Sequence, residues 1–297
     1  MGGTKPDVVR CLDMVKERVF GLDEQVELAV RAVSAGLPVM LEGESGTGKT
    51  ELAKAIAYAL GRPVMRVDGN QELTATKIQG WFDPPLVIEK GYCWDSFVPG
   101  PLAAAMLDGG LFFFNEASRA PSEAMNAVLS ALDERVLHIP KLDPIRAAEG
   151  FCVVFTLNPI DRVGTNPLPR ALYDRCIWIR VPHLGVDDAT RVVEARTGNP
   201  DHDLVRNICR VVEMTRTHPD VMSGGSVRAA IHMSRLLMNL PEGRDPWDPE
   251  EVLRCATAAL VRNIKMKYDV TSSPEDVVAE AVEEVFGQKK AEGPRPR

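Results

Sequence analysis

Residues Gly43, Glu44, Ser45, Gly46, Thr47, Gly48, Lys49 and Thr50 run consecutively after the apolar stretch Leu37-Pro38-Val39-Met40-Leu41. They spell the pattern G-x-x-x-x-G-K-[ST]. Glycines let a backbone fold with its N–H groups pointing inward, where a side chain would block the approach of an anion. Lys49 then supplies a mobile point charge for the β- and γ-phosphates of a nucleoside triphosphate, and the Thr50 hydroxyl can ligate Mg²⁺. Glu51 follows in the same turn and completes the candidate cofactor-binding set. The stretch from Glu51 to Leu60 is rich in Ala, Leu, Lys and Glu, which predicts a helix. The positive end of that helix faces the phosphates. A strand before the loop and a helix after it are the context this pattern requires.

A second group of candidates sits at the ends of later apolar runs. Leu111-Phe112-Phe113-Phe114-Asn115-Glu116 resembles a Walker B element, a strand that delivers acids to the edge of a sheet where ligands bind. The usual first acid helps hold Mg²⁺ and the second orients the attacking water. Glu116 can take the second role and is also counted with Thr50 among the metal candidates. Asn115 stands in the first position. Its carbonyl can accept hydrogen bonds from water on Mg²⁺, but it lacks the charge. Helix capping is a poor account of Asn115, because the next helix begins near Pro121. Asn158, in Thr156-Leu157-Asn158-Pro159, can hydrogen-bond a γ-phosphate or the water beside it. Arg175 precedes the last apolar run, where an always-charged guanidinium can reach a neighbouring subunit's γ-phosphate. Gly224-Gly225-Ser226-Val227-Arg228 opens a helix with Ser226 as the expected N-cap. Arg228 in its first turn opposes the helix dipole, so something beyond local stability favours it, such as a nucleotide phosphate.

These residues need a scaffold, and the chain supplies a pattern for one. Continuous apolar runs at Val39–Leu41, Val64–Val67, Leu111–Phe114, Phe151–Leu157 and Cys176–Val181 alternate with helical stretches. That order predicts a buried parallel sheet in a three-layer α/β domain over residues 1–182. Residues 7 to 35 read as helix, broken around Gly21. After Pro182 the strands stop, and helical stretches at Asp187–Thr197, Leu204–Thr217, Val227–Leu240, Glu251–Met266 and Pro274–Phe286, punctuated by Pro and Gly, predict an all-helical domain over 183–287. Residues 288–297 are polar with Pro and Gly and read as a disordered tail.

Bulk properties narrow the function classes. The 297 residues are 45% hydrophobic and 26% charged, an ordinary globular balance. The net charge of −7 argues against nucleic acid as the main partner, whose binding proteins are normally basic. The six cysteines contain no C-x-x-C pair, which argues against zinc and suits a reducing compartment. No signal segment or membrane-length apolar run appears, so the expected location is the cytoplasm.

In this order the elements resemble the AAA+ ATPases, and more closely the MoxR family with its CbbQ, NorQ and GvpN relatives. The resemblance rests on Leu41–Thr50, Phe97-Val98-Pro99-Gly100-Pro101-Leu102, Asn115-Glu116-Ala117-Ser118-Arg119-Ala120-Pro121, Thr156–Ile160, Gly164-Thr165-Asn166-Pro167-Leu168-Pro169 and Ala171-Leu172-Tyr173-Asp174-Arg175. It implies a P-loop AAA+ core with a C-terminal helical lid, with ATP and Mg²⁺ as cofactors. By it, Asn158 corresponds to sensor 1, Arg175 to the arginine finger, Arg228 to sensor 2, and Arg119 to the Arg of the Walker B extension. It also implies a ring, typically a hexamer, with nucleotide at the subunit interfaces. The expected work is remodelling or activating a client complex such as a metalloenzyme, often with a von Willebrand factor A domain partner. An insert at Ile78–Val98 and a hairpin at Arg135–Gly150 correspond to family inserts. Trp81 and Phe82 then either face a central pore or pack within the subunit. The departure at Asn115 raises an alternative, a nucleotide-driven switch or scaffold with little turnover. A DNA-acting AAA+ protein is the third class, and the acidic balance opposes it.

Overall fold

The computed structural model describes residues 7–159 and 168–287. The segment carrying Ile160 and Gly164-Thr165-Asn166-Pro167, and the 288–297 tail, lie outside the described residues. Along the chain the strands are β1 (Val39–Glu42), β2 (Val64–Asp68), β3 (Gly80–Phe82), β4 (Phe97–Pro99), β5 (Leu111–Asn115), β6 (Val136–Leu137), β7 (Ile145–Arg146), β8 (Cys152–Leu157), β9 (Ile177–Arg180), β10 (Val221–Ser223) and β11 (Lys265–Met266). The helices are α1 (Val8–Lys16), α2 (Asp23–Ser34), α3 (Lys49–Ala59), α4 (Ala75–Gln79), α5 (Pro84–Lys90), α6 (Pro101–Asp108), α7 (Ser122–Glu134), α8 (Arg170–Tyr173), α9 (Val186–Thr197), α10 (His202–Thr217), α11 (Val227–Met238), α12 (Pro249–Leu260) and α13 (Pro274–Phe286). Two compact units divide the chain after Pro182, with Ser45–Thr47 grouped with the second.

The first unit is built on a five-stranded parallel sheet in the order β2-β5-β8-β1-β9. Side chains alternate faces along a strand. Met40, Phe112, Phe114, Val153 and Phe155 share one face and pack on buried residues of α6 and α7, among them Leu102, Met106, Met125 and Val128. Val39, Leu41, Leu111, Phe113 and Val154 have the opposite parity and are equally buried. On their side α2 and α3 contact the sheet. Burial on both faces explains why these strands read as unbroken apolar runs. The expected three-layer α/β core is therefore observed.

Two antiparallel pairs project from this core. In one, β3 pairs with β4, Trp81 opposite Val98 and Phe82 opposite Phe97. In the other, β6 pairs with β7. The two aromatics of β3 have different surroundings. Phe82 lies edge-on to Tyr92 at 5.0 Å and against Phe97 at 5.3 Å, so it belongs to the packing of its own hairpin. Trp81 stays 47% exposed.

The second unit carries the five helices α9–α13, but it is not all-helical. Strands do not stop at Pro182. Val221 pairs with Met266 and Ser223 with Lys265 in an antiparallel ribbon of β10 and β11. The helix expected over Glu251–Met266 ends at Leu260, where the Asn263 side chain donates to the carbonyl of Ala259. Beyond it, Ile264 is buried and the chain runs extended. Ser226 occupies the N-cap position of α11 as expected, but its side chain makes no cap hydrogen bond.

Among the described residues no helix is long and apolar enough to cross a membrane.

Candidate functional site

The glycine loop leads from β1 into α3. Gly46 and Gly48 have φ of +79° and +97°, the left-handed region where L side chains are disfavoured. Gly48 is the N-cap of α3 and offers no side chain to the helix end. The first N–H groups of a helix lack intrahelical partners, so this end suits an anion. Lys49 begins the helix and folds back on the loop. Its Nζ donates to the carbonyls of Gly43 at 2.7 Å and Glu44 at 2.6 Å. A phosphate entering the loop has a cation already held at its mouth. Glu51, at the third position of α3, directs its carboxylate to Lys54 at 3.5 Å. Its backbone N–H is therefore what it can offer a phosphate.

Three strand ends meet beside Thr50. In register, Asp68 of β2 stands opposite Asn115 of β5. Gly69 makes that approach possible: its N–H donates to the Asn115 carbonyl at 2.8 Å, and a Cβ there would lie 2.2 Å from the carbonyl oxygen of Glu116. Asn115 uses both ends of its amide. Nδ2 donates to Oδ1 of Asp68 at 2.8 Å. Oδ1 accepts from the Thr156 hydroxyl at 2.9 Å and from the Thr50 hydroxyl at 3.4 Å. A carboxylate only accepts, so Asp68 dictates this orientation and turns the amide oxygen toward Thr50.

Thr156, fully buried in β8, serves two neighbours at once. While donating to Asn115 it accepts from the Glu116 N–H at 2.9 Å. Glu116 itself has φ +53° and ψ +47°, a left-handed conformation uncommon outside glycine. The bond from Thr156 helps hold that conformation. Its carboxylate meets Arg119 at 3.1 Å. Asp68 also accepts three bonds from Arg66, Nη2 to Oδ1 at 2.6 Å, and Nε to Oδ2 at 3.0 Å and to Oδ1 at 3.1 Å. Arg66, with Asn115 adding to it, holds the Asp68 carboxyl below its usual range. A depressed carboxylate contributes stability above its unfolded pKa, and that contribution is lost as pH falls through the folded value.

The other predicted residues lie on further elements. Asn158 is half-buried just past the end of β8. Arg175, after α8, is gripped by Asp133 of α7 through Nε and through Nη2 at 2.7 Å, and Nη1 donates to the Ala171 carbonyl at 2.7 Å. That pair is exposed, so a competing anion can exchange with it. Arg228 is exposed in the first turn of α11, which carries no acidic residue.

Oxygen donors beside a phosphate loop suit a hard cation such as Mg²⁺, which keeps waters and takes one or two protein ligands beside phosphate oxygens. Thr50 Oγ1 and Asn115 Oδ1 fit that requirement. Among the described residues no group of three His, Cys, Asp or Glu side chains could cage a metal by itself. Asp68 and Thr156 were not among the sequence candidates. A lone Thr in an apolar strand was a usable signal, since a buried hydroxyl must find a partner.

A glycine loop after the first strand, with polar ends on the adjoining strands, defines a P-loop nucleoside-triphosphate fold. Residues 38–176 match the model of the AAA domain, dynein-related subfamily. The gas vesicle ATPase GvpN1 of Halobacterium salinarum is 28% identical over 263 residues, spanning 83% of this chain and 74% of that one. The Escherichia coli protein YehL is 33% identical over 277 residues, 84% of this chain and 75% of that one. Among solved structures, a candidate ATPase from Cytophaga hutchinsonii superposes with a TM-score of 0.53 at 19% identity over 93% of both chains, a likeness of fold. The chain belongs to the AAA+ ATPases of the MoxR and GvpN type.

Proposed function

We propose that this protein binds ATP with Mg²⁺ and hydrolyses it at the interfaces of a hexameric ring to remodel, assemble or activate a client protein complex. The reading assigns residues 1–182 to nucleotide binding, 183–287 to a lid and 288–297 to a tail. In it Lys49 and the loop hold the phosphates and Thr50 holds the metal, with Asn115 acting through a water. Glu116 polarises the attacking water, Asn158 senses the γ-phosphate, and Arg228 acts within its own subunit. Arg175 crosses to the neighbour. The observation that carries the reading is the strand-end network, in which Asn115 Oδ1 faces the Thr50 hydroxyl and one Thr156 hydroxyl joins Asn115 to the Glu116 N–H. Relatives named for gas vesicles favour a multi-subunit client. Metalloenzyme maturation, a von Willebrand factor A domain partner and a cytoplasmic location remain within the proposal. The net charge of −7 favours protein over nucleic acid as the client.

One mixing experiment tests the shared site. Glu116→Gln and Arg175→Ala should each bind ATP and each lose hydrolysis by at least about 100-fold. Mixed in equal amounts, they should recover roughly a quarter of the wild-type rate, because random assembly joins an intact Glu116 to an intact Arg175 at roughly one interface in four. No recovery, with both variants binding ATP, removes the trans role of Arg175. Asn115 favours a second reading, a nucleotide-driven switch with little turnover. Full client activation by a non-hydrolysable analogue supports the switch.

A further inference from the structure

The strand leading to Glu116 ends on an amide where an acid is expected, and a carboxylate stands one strand away. Asp68 lies directly opposite Asn115 in the parallel register, 47 residues earlier in the chain. The two side chains are joined by the 2.8 Å bond from Asn115 Nδ2 to Asp68 Oδ1. On the far side of the amide, Oδ1 points at the Thr50 hydroxyl. We propose that Asp68 is a positioning residue of the nucleotide site, supplying through the Asn115 amide the negative charge that position 115 itself lacks.

The chemistry is direct. A carboxylate accepting from Nδ2 orients and polarises the amide, so its oxygen becomes a better acceptor for a water bound to a cation. The pair also explains the residue type at 115. An acid there would set two carboxylates in hydrogen-bond contact, where like charges resist joint ionisation. Asn115 is the residue that lets the carboxylate move to β2. Arg66 shares Asp68, with Nη2 on the same Oδ1 that accepts from Asn115, and solvent screens that exposed ion pair.

This inference rests on the nucleotide-site reading above, and calorimetry separates the two. ATP is titrated into the full-length protein, first with EDTA and then across a Mg²⁺ series. In EDTA, wild type and Asp68→Asn should bind alike. With Mg²⁺, Asp68→Asn should need roughly tenfold more metal for the same gain in affinity. The double variant Asp68→Asn with Asn115→Asp returns the charge to β5 and should recover the wild-type Mg²⁺ dependence. A residue that merely ends a strand would not be rescued by moving its charge. An unchanged Mg²⁺ dependence in Asp68→Asn, or a double variant no better than the single one, overturns the proposal. Absence of ATP binding by the wild type in both conditions overturns the nucleotide-site reading itself.

Discussion

The glycine loop and the strand ends solve the same problem, aiming polar groups at a ligand, in opposite ways. At the loop, the aimed group is parked. Lys49 donates to the carbonyls of Gly43 and Glu44, two bonds within its own turn of chain. A ligand must exchange with those partners, and exchange between good acceptors costs little net free energy. At the strand ends the groups hold one another, with the Glu116 carboxylate also paired to Arg119. Asp68, Asn115, Thr156 and the Glu116 N–H satisfy each other across β2, β5 and β8. The first region is adaptable and the second preorganised, and fixed dipoles are what an electrostatic site needs at the moment of reaction.

Breaking the loop side should give the largest effect and leave the fold intact. Lys49→Ala removes a charge-assisted donor that the folded protein uses on the loop carbonyls of Gly43 and Glu44. ATP affinity should fall by roughly 100-fold or more, while the thermal unfolding midpoint stays at the wild-type value. Calorimetric titration together with differential scanning calorimetry measures both. A large drop in stability would mean that the Lys49 bonds hold the loop together, and the contrast between the two regions would vanish.

Breaking the strand ends should do the reverse. Thr156→Val keeps the shape of a fully buried side chain and removes its hydroxyl. The Glu116 N–H loses its acceptor and Asn115 loses a donor. An unsatisfied buried group of this kind costs about 1–3 kcal/mol. Stability should fall by that amount in urea titration, with hydrolysis reduced because Glu116 is no longer held. ATP binding in EDTA should change far less than in Lys49→Ala. Unaltered stability and hydrolysis would show that Thr156 is ordinary packing.

The same contrast explains what could be read from the chain. The loop was legible because Gly43 to Thr50 are consecutive, and their function depends on spacing along the backbone. The sheet was legible because burial on both faces leaves continuous apolar runs such as Leu111–Phe114. The strand-end network joins residues 41 and 47 positions apart, and no local pattern marks which strand lies beside which. Asp68 therefore looked like an ordinary polar end of an apolar run. The grip of Asp133 on Arg175, across 42 positions, was hidden for the same reason. Two-residue strands such as Lys265–Met266 are too short to show alternation, so the sequence pattern there continues the preceding helix. Phe82 was legible as an aromatic in an insert, but its burial against Tyr92 and Phe97 depends on the hairpin closing.

The smallest effect is also the most discriminating for the preorganised side. Asn115→Asp, made alone, looks like a repair of the missing acid. The structure says otherwise, because the new carboxylate would replace a donor 2.8 Å from Asp68 Oδ1. Two carboxylates in contact cannot both ionise freely, so one pKa of the pair rises above its unfolded value near 3.9. An acid whose folded pKa is raised leaves stability untouched below the unfolded pKa. It penalises the folded state increasingly as pH climbs through the unfolded value and up to the folded one. Relative to wild type, the variant should therefore be equally stable near pH 3.5 and less stable by about 1 kcal/mol near pH 7. Chemical denaturation of both proteins across that range, without metal, gives the comparison. Adding Asp68→Asn should flatten the difference, since a donor then faces the new acid. A variant whose stability tracks wild type at every pH would mean that Asp68 turns away to Arg66 when challenged, and that the strand ends are as adaptable as the loop.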